Sequence, residues 1–552
     1  MKKTLRLIGL LLTVCILCLS FTSCGTLMAF ASALASQIDG YDGGVPILER
    51  YTFTLTQEDV DEFYDLLAEC EEVMFPDGRN TVRIESALQN LLISYYHIVT
   101  QMNVADMHYN TDMENEEASE NYLFASSAYN DCYVAYMELC QKLYHSESAY
   151  KKIFFEDWSE DDSANMLRQN QQMADFEKQV DELLVEYRDL GENEFTDAVP
   201  ALYTELVKLN HQIAQANGYD NYMDYAYQAV YQRDYTPDDV VQMQEYVKTY
   251  MVPLCKELME NFLALWNQLT EVQMDRWGAL LYDDYTFSAD GNLESYLSSL
   301  PKEMGEGMME CFEKNNAIFC DSSMAFERAY TNFIYDFNHP YCYFGPGYQD
   351  IFTLAHELGH YYAMGMSFGG SFSLDLAEIH SQGSEMLLLT SLEGKIEDPV
   401  YQALAAYKVF DMACTVILCC IVNEFEAFVY DRVGTTVDYD SAIERISQRY
   451  GGKAFVQEIL GDMTAYWRLV TLEAPAYYIS YAMSALPSLE IYAISQQSFA
   501  EGVAAYESLF EDLDDYEDTP ELRETLTDAG LGDPFAESFY ESLHAKLTKE
   551  GE

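Results

Sequence analysis

The sequence predicts a mostly α-helical protein. Three observations carry this reading: apolar residues recur at helical spacing over long segments, strand-like alternation is scarce, and 13 prolines in 552 residues fall mainly between the periodic stretches. With 49% hydrophobic and 14% aromatic residues, most of the chain is expected to pack as a globule with a large core.

At the N-terminus, Lys2, Lys3 and Arg6 precede an apolar run over residues 7–19, the pattern of a secretory leader and too short for a membrane span. The run ends in Phe21-Thr22-Ser23-Cys24-Gly25, which resembles the lipobox of bacterial lipoproteins. Residues 1–23 are therefore expected to be a signal peptide, with Cys24 lipidated and holding the protein to the outer face of a bacterial cytoplasmic membrane. A tether follows over residues 24–50, small and Gly-containing between 31 and 45. Of 13 cysteines, ten lie beyond Cys24 without a C-x-x-C pair, so neither a disulfide framework nor a cysteine zinc site follows.

From Thr56 the helical pattern begins, with Thr56, Glu58 and Asp59 suited to a helix start. Val60, Phe63, Leu66 and Leu67 mark one apolar face, and Leu88, Leu91, Leu92 and Tyr95 another. The polar stretch from Tyr109 to Glu117 reads as a solvated loop or helix edge. A gap over residues 191–200 divides an N-terminal helical region, 51–195, from a catalytic region, 196–552. Cys419 and Cys420 lie in an apolar stretch, 412–422, read as buried helix.

The formal charge of −63, from 93 acidic and 30 basic side chains, excludes a nucleic-acid partner, because a phosphate backbone requires clustered Lys and Arg. The chemistry concentrates in His356-Glu357-Leu358-Gly359-His360. On a helix, His356 and His360 stand one turn apart on one face, so both imidazoles reach one ion while Glu357 lies beside it as general base. Nitrogen donors suit zinc, and a third protein ligand leaves a position open for water. Glu378, eighteen residues past His360 and beyond a Gly369-Gly370 turn, is the expected third ligand. A metzincin pattern would need Gly at 363 and His at 366, where Ala363 and Met366 stand. Glu385, seven residues after Glu378, is placed to orient a ligand histidine, whereas His380 points to another face and is read as structural.

Asp350-Ile351-Phe352-Thr353-Leu354-Ala355 before the motif, Ala377-Glu378-Ile379 with Ser381 and Glu385 after it, and Tyr477-Tyr478-Ile479-Ser480-Tyr481-Ala482 further on together resemble the thimet oligopeptidase and oligoendopeptidase F family of zinc peptidases. Tyr203-Thr204-Glu205-Leu206 and Asn217-Gly218-Tyr219-Asp220-Asn221-Tyr222 read the same way, so the resemblance spans roughly residues 203–492. It implies two helical lobes flanking a deep channel that admits short peptides, cleavage of internal peptide bonds, Zn2+ as cofactor, Tyr481 assisting the carbonyl as negative charge develops, and Tyr478 touching substrate. Relatives carry a histidine shortly before the paired tyrosines. Here the matching position is nearest Val470, and no histidine stands between Trp467 and Pro475. Two alternatives stand beside this reading: a lipid-anchored peptide-binding protein with weak or no hydrolysis, which goes with the missing histidine and against which the intact Glu357 argues, and a related zinc exopeptidase trimming chain ends.

Overall fold

The computed structural model describes residues 45–548, apart from 76, most positions from 157 to 191, and 288–290, 336–338, 368–372, 473, 512 and 514–520. The leader, Cys24, and the Gly369-Gly370 turn lie outside the described residues. The fold is predominantly helical, with one three-stranded sheet among the described residues.

Helix α1, Gln57–Met74, begins at a capping box in which the Thr56 hydroxyl and the Asp59 carboxylate each accept a backbone N–H of the other. Helices α2, Thr81–Thr111, and α3, Glu116–Tyr144, pack against it around Val60, Phe63, Leu88, Leu91, Tyr95 and Tyr129. Of the polar Tyr109–Glu117 stretch only residues 112–115 form the turn between α2 and α3; its ends lie in the two helices, and Asn110 is buried instead of solvated. Two boundaries differ from the sequence reading. Residues Ile47–Arg50 form a helical turn instead of tether, because Ile47 is buried and the Arg50 guanidinium donates to the carbonyls of Lys314 and Asn315. The gap expected over 191–200 is helical from Glu192, since α4, Glu192–Ala216, runs on through Pro200.

Helix α5, Val252–Trp266, precedes the sheet of β1, Ala317–Phe319, β2, Ala329–Ile334, and β3, His339–Phe344, in the order β1-β3-β2. β3 pairs parallel with β1 and antiparallel with β2, with Thr331 opposite Cys342. Every residue of β3 is buried, so its sequence shows no alternation, which is why these strands escape a periodicity reading. The polar end of α2 docks on this sheet: the Asn103 amide donates to Phe333 O at 2.7 Å, and the Tyr343 hydroxyl to Asn110 O at 2.7 Å.

Beyond the sheet come α6, Ile351–Met366, α7, Leu374–Ser391, α8, Asp398–Tyr430, α9, Met463–Val470, and α10, Ile479–Ser495. α7 is buried along almost its whole length between α6 and α10. α8 is long and apolar enough to cross a bilayer by length and composition, but 67% of its apolar window is buried inside the protein. Cys419 and Cys420 are buried there, and Cys414 Sγ lies 3.4 Å from Cys255 Sγ on α5.

The approach of α6 to α7 depends on Gly359. A Cβ at this position would lie 2.3 Å from the carbonyl oxygen of His380, which is backbone and cannot swing aside. Overpacking of this kind costs about 1–3 kcal/mol. Gly359→Ala is therefore expected to lower the thermal midpoint and to weaken metal binding at least about tenfold, checked by calorimetry and chelator competition; an unchanged affinity would show that α6 and α7 can separate without disturbing the ligand atoms.

Candidate metal centre

Helix α6 starts at Asp350, whose carboxylate accepts the N–H groups of Phe352 at 2.9 Å and Thr353 at 3.1 Å. Its apolar residues Leu354, Ala355 and Leu358 face the core, leaving His356 and His360 together on the side toward α7. The Nε2 atoms of His356 and His360 lie 3.8 and 3.9 Å from Glu378 Oε2, and donor atoms of the three residues all fall within 4.8 Å of one another. Ligands about 2.0–2.2 Å from a tetrahedral ion stand roughly 3.4 Å apart, so small side-chain movements bring this set into coordination. Two imidazole nitrogens and one carboxylate oxygen are a donor set for a divalent metal, and the residues fit one.

Two of the three candidate ligands, His356 and Glu378, are held from behind. His356 Nδ1 donates to Glu385 Oε1 at 2.9 Å, which fixes the tautomer and leaves Nε2 turned toward Glu378. Glu385 is in turn held by Lys408 Nζ at 2.6 Å, and the ammonium also sits 4.6 Å from the Phe352 ring centroid. Glu378 receives the Tyr477 hydroxyl on Oε1 at 3.0 Å, which keeps Oε2 facing the histidines. His380, two residues along, is fully buried and meets Leu509 O through Nε2 at 3.0 Å, away from the centre.

Glu357 is buried beside the two histidines. Thr331 on β2 donates its hydroxyl to Glu357 Oε2 at 2.8 Å, with Glu357 O an alternative acceptor at 3.1 Å. Burial raises the Glu357 pKa to about 7, against the opposing pull of the charge on His356 and the Thr331 hydrogen bond. Burial would also raise Glu385, yet Lys408 and His356 together bring it down to about 2. Glu385 therefore stays an anion, and a steady acceptor for His356, throughout the neutral range.

Tyr477, Tyr478 and Tyr481 form one cluster, with the Tyr481 ring 5.2 Å from Tyr477 and 5.8 Å from Tyr478. The preceding turn places Ala476 at φ 61°, the left-handed region that a side chain disfavours. It is pinned there: Ala476 N–H donates to Glu426 at 2.8 Å, and the buried Arg233 donates to Ala476 O at 3.0 Å and to Ser480 Oγ at 2.8 Å. Val470, at the end of α9, is buried with 6% exposure. A cavity of about 340 Å³ reaches the centre from the side of His356 and Glu357, and its walls include Arg328, Tyr348, Lys408 and Tyr282.

Thr331, Tyr477, Lys408 and Arg233 were not singled out from the sequence. Tyr477 had a signal in its place beside Tyr478, but only the fold shows which of the pair reaches Glu378. The other three act across long stretches of sequence and carry no local pattern.

Neither a family model nor a curated protein matches the chain. Solved structures do. It is similar to PZ peptidase A bound to an inhibitor, with a TM-score of 0.69 at 15% identity over 91% of this chain and 99% of that one. Oligoendopeptidase-F from Enterococcus faecium follows at 0.55, with 17% identity over 89% of this chain and 96% of that one. The chain has the oligoendopeptidase F fold. An M32 carboxypeptidase from Deinococcus radiodurans R1 is a more distant likeness, with a TM-score of 0.51 at 13% identity over 82% of this chain and 98% of that one. In this chain the His-Glu-x-x-His helix and the Glu378 helix lie side by side, with the tyrosine turn closing over Glu378.

Metal binding at this centre must displace a proton from His356. Burial disfavours the imidazolium, but the hydrogen bond and charge of Glu385, with Glu357 and Glu378 nearby, outweigh it and raise the pKa to about 9 in the metal-free protein. Below that value one proton leaves His356 for each ion bound, so affinity for a divalent metal ion is expected to rise about tenfold per unit between roughly pH 6 and pH 8. Chelator competition at several pH values measures this, and a flat profile would remove His356 from the ligand set.

Proposed function

We propose that this protein is a zinc-dependent oligopeptidase that hydrolyses internal bonds of short peptides outside the cytoplasm. The observation that carries the reading is the convergence of His356 Nε2, His360 Nε2 and Glu378 Oε2, with the Glu357 carboxylate beside them at the head of a cavity. His356, His360 and Glu378 would hold a zinc ion, which would supply Lewis acidity for activating water and polarising the scissile carbonyl.

The protein's own groups divide the remaining work. Glu357 accepts the proton of the attacking water and passes it to the leaving amine, held at the right place by Thr331. Tyr481 donates its O–H to the carbonyl oxygen as that atom gains charge. Burial, with Glu378 and Tyr478 close by, raises its pKa well above the ordinary tyrosine value, so it remains a protonated donor. Tyr478 is the adjoining candidate for substrate contact. Val470 offers no donor where the resembling family has a histidine, and the oxyanion then depends more heavily on Tyr481.

Location outside the cytoplasm and anchoring through Cys24 belong to the same proposal and rest on the basic and apolar pattern of residues 1–23. The likeness to a carboxypeptidase fold keeps end-trimming as a second reading. Digestion of a peptide library, with free and blocked ends and with and without chelator, tests both: internal cuts in doubly blocked peptides that vanish on chelation support the first, and loss of all cleavage on blocking supports the second.

Glu357→Gln is expected to keep stoichiometric zinc while lowering kcat by at least about 100-fold, because the amide holds nearly the same shape but cannot accept the proton. Full activity with zinc in place would sink the assignment of the base.

Tyr481→Phe removes one donor from the developing oxyanion, an effect on the order of 100-fold in kcat with KM changed no more than about threefold. Single-turnover kinetics read the chemical step directly; an unaltered step would move the oxyanion donor to another group.

A further inference from the structure

The cavity that leads to Glu357 is walled by carboxylates and two cations, and all but one of these charges are accounted for within the protein. Glu385 is held by Lys408 and His356. Asp350 caps α6 and also accepts the Thr353 hydroxyl at 2.6 Å. Asp411 lies in the field of Lys408, and Glu357 receives Thr331. Arg328 is different. Its only side-chain hydrogen bond to the described residues goes to the Tyr348 hydroxyl, its guanidinium lies 5.5 Å from that ring centroid, and among the described residues it forms no ion pair with a carboxylate. A guanidinium has five N–H donors, so most of its capacity is left facing the cavity. In a chain with 93 acidic and 30 basic side chains, a cavity-lining arginine that meets no carboxylate is a position where positive charge is kept available.

Its root is rigid. Arg328 O accepts Gly345 N–H at 2.8 Å, continuing the β2–β3 ladder by one step, and a Cβ on Gly345 would lie 1.9 Å from Phe326 O. Arg328 stands three residues before Thr331, the residue that holds Glu357. At about 3.3 Å per extended residue, this is roughly 10 Å along the backbone; residues three apart in a strand start from opposite faces, and it is at the cavity wall that Arg328 meets the same space as Glu357. An extended peptide advances by the same step.

Resting on the peptidase reading above, we propose that Arg328 binds a substrate carboxylate about two or three residues from the cleaved bond, supplied either by the C-terminus or by an Asp or Glu side chain. Planar, two-pronged recognition of this kind is what guanidinium offers a carboxylate.

Four peptides of one length, with no other acidic groups, test the proposal: a C-terminal acid, its amide, the amide with Glu two or three residues beyond the cut, and the same with Gln. On the zinc-loaded full chain, kcat/KM is expected to favour acid over amide, or Glu over Gln, by at least about tenfold, and the favoured pair identifies the source. Arg328→Gln should bring that ratio near one. Arg328→Glu should invert it toward the uncharged peptide, a gain that misfolding cannot imitate. A parent protein with no preference in either pair, or variants that keep the parent's preference, would overturn the proposal. Fluorescence anisotropy of the four labelled peptides on zinc-loaded Glu357→Gln protein repeats the comparison without turnover. If nothing is cleaved, the peptidase reading fails, while the anisotropy ratio still decides whether Arg328 selects carboxylates.

Discussion

The close contact of Gly359 with the backbone of His380 sets the separation of the two helices that carry the candidate metal ligands. His356 and His360 are fixed relative to each other by the geometry of one helix, and Glu378 is fixed on the next. What remains variable is the distance between α6 and α7, and a side chain at 359 would increase it. The same contact brings Glu385 within 2.9 Å of His356 Nδ1, so one backbone approach places both the third candidate ligand and the carboxylate behind the first candidate. The oxyanion donor proposed on α10 depends on it indirectly, since α10 packs on the opposite side of α7.

Electrostatics then fixes the protonation pattern that this geometry needs. A buried ion pair gains little stability over a well-packed apolar pair, but breaking one leaves an uncompensated charge, at a cost of roughly 3–5 kcal/mol. Lys408 and Glu385 form such a pair, with side chains only 12% and 13% exposed. Its effect is to hold Glu385 as an anion behind His356 throughout the neutral range. Among the described residues Glu357 has no such cation at hydrogen-bonding distance, and burial moves its pKa up to about 7, where a carboxylate can both take and return a proton. Two glutamates on adjacent helices thus acquire opposite characters from their surroundings.

How much of this was legible in the sequence depends on the range of each contact. The His356, Glu357 and His360 arrangement follows from the pitch of a single helix, and Glu385 from its seven-residue distance to Glu378, so both could be read locally. The mostly helical class followed from periodicity for the same reason, and the Thr56 cap from local chemistry. The strands did not, because β3 is buried on both faces and looks apolar throughout instead of alternating. The ten residues from 191 looked like a break but lie almost wholly in α4, where Pro200 is accommodated inside the helix. Thr331 reaches Glu357 across 26 positions, Lys408 reaches Glu385 across 23, and Tyr477 reaches Glu378 across 99, distances at which composition and spacing carry no signal.

Arg233 shows why buried cations are retained in so acidic a chain. It is 7% exposed, 3.8 Å from Asp375 at the start of α7, and surrounded by the rings of Tyr227, Tyr231 and Tyr235. Removing a guanidinium from water costs several kcal/mol, and one carboxylate at this distance does not by itself offset that. The additional bonds to Ala476 O and Ser480 Oγ do more than satisfy donors. They hold the turn before Tyr477 in a backbone conformation that alanine adopts only under constraint, with Glu426 fixing the same peptide from its N–H side. A relaxed turn would let Tyr477 leave Glu378 and would release the start of α10, on which Tyr481 stands. The strain at Ala476 is therefore a means of aiming two hydroxyls, one at the candidate ligand Glu378 and one toward the place where the carbonyl oxygen is proposed to lie, from a rigid base about 240 residues away in the sequence.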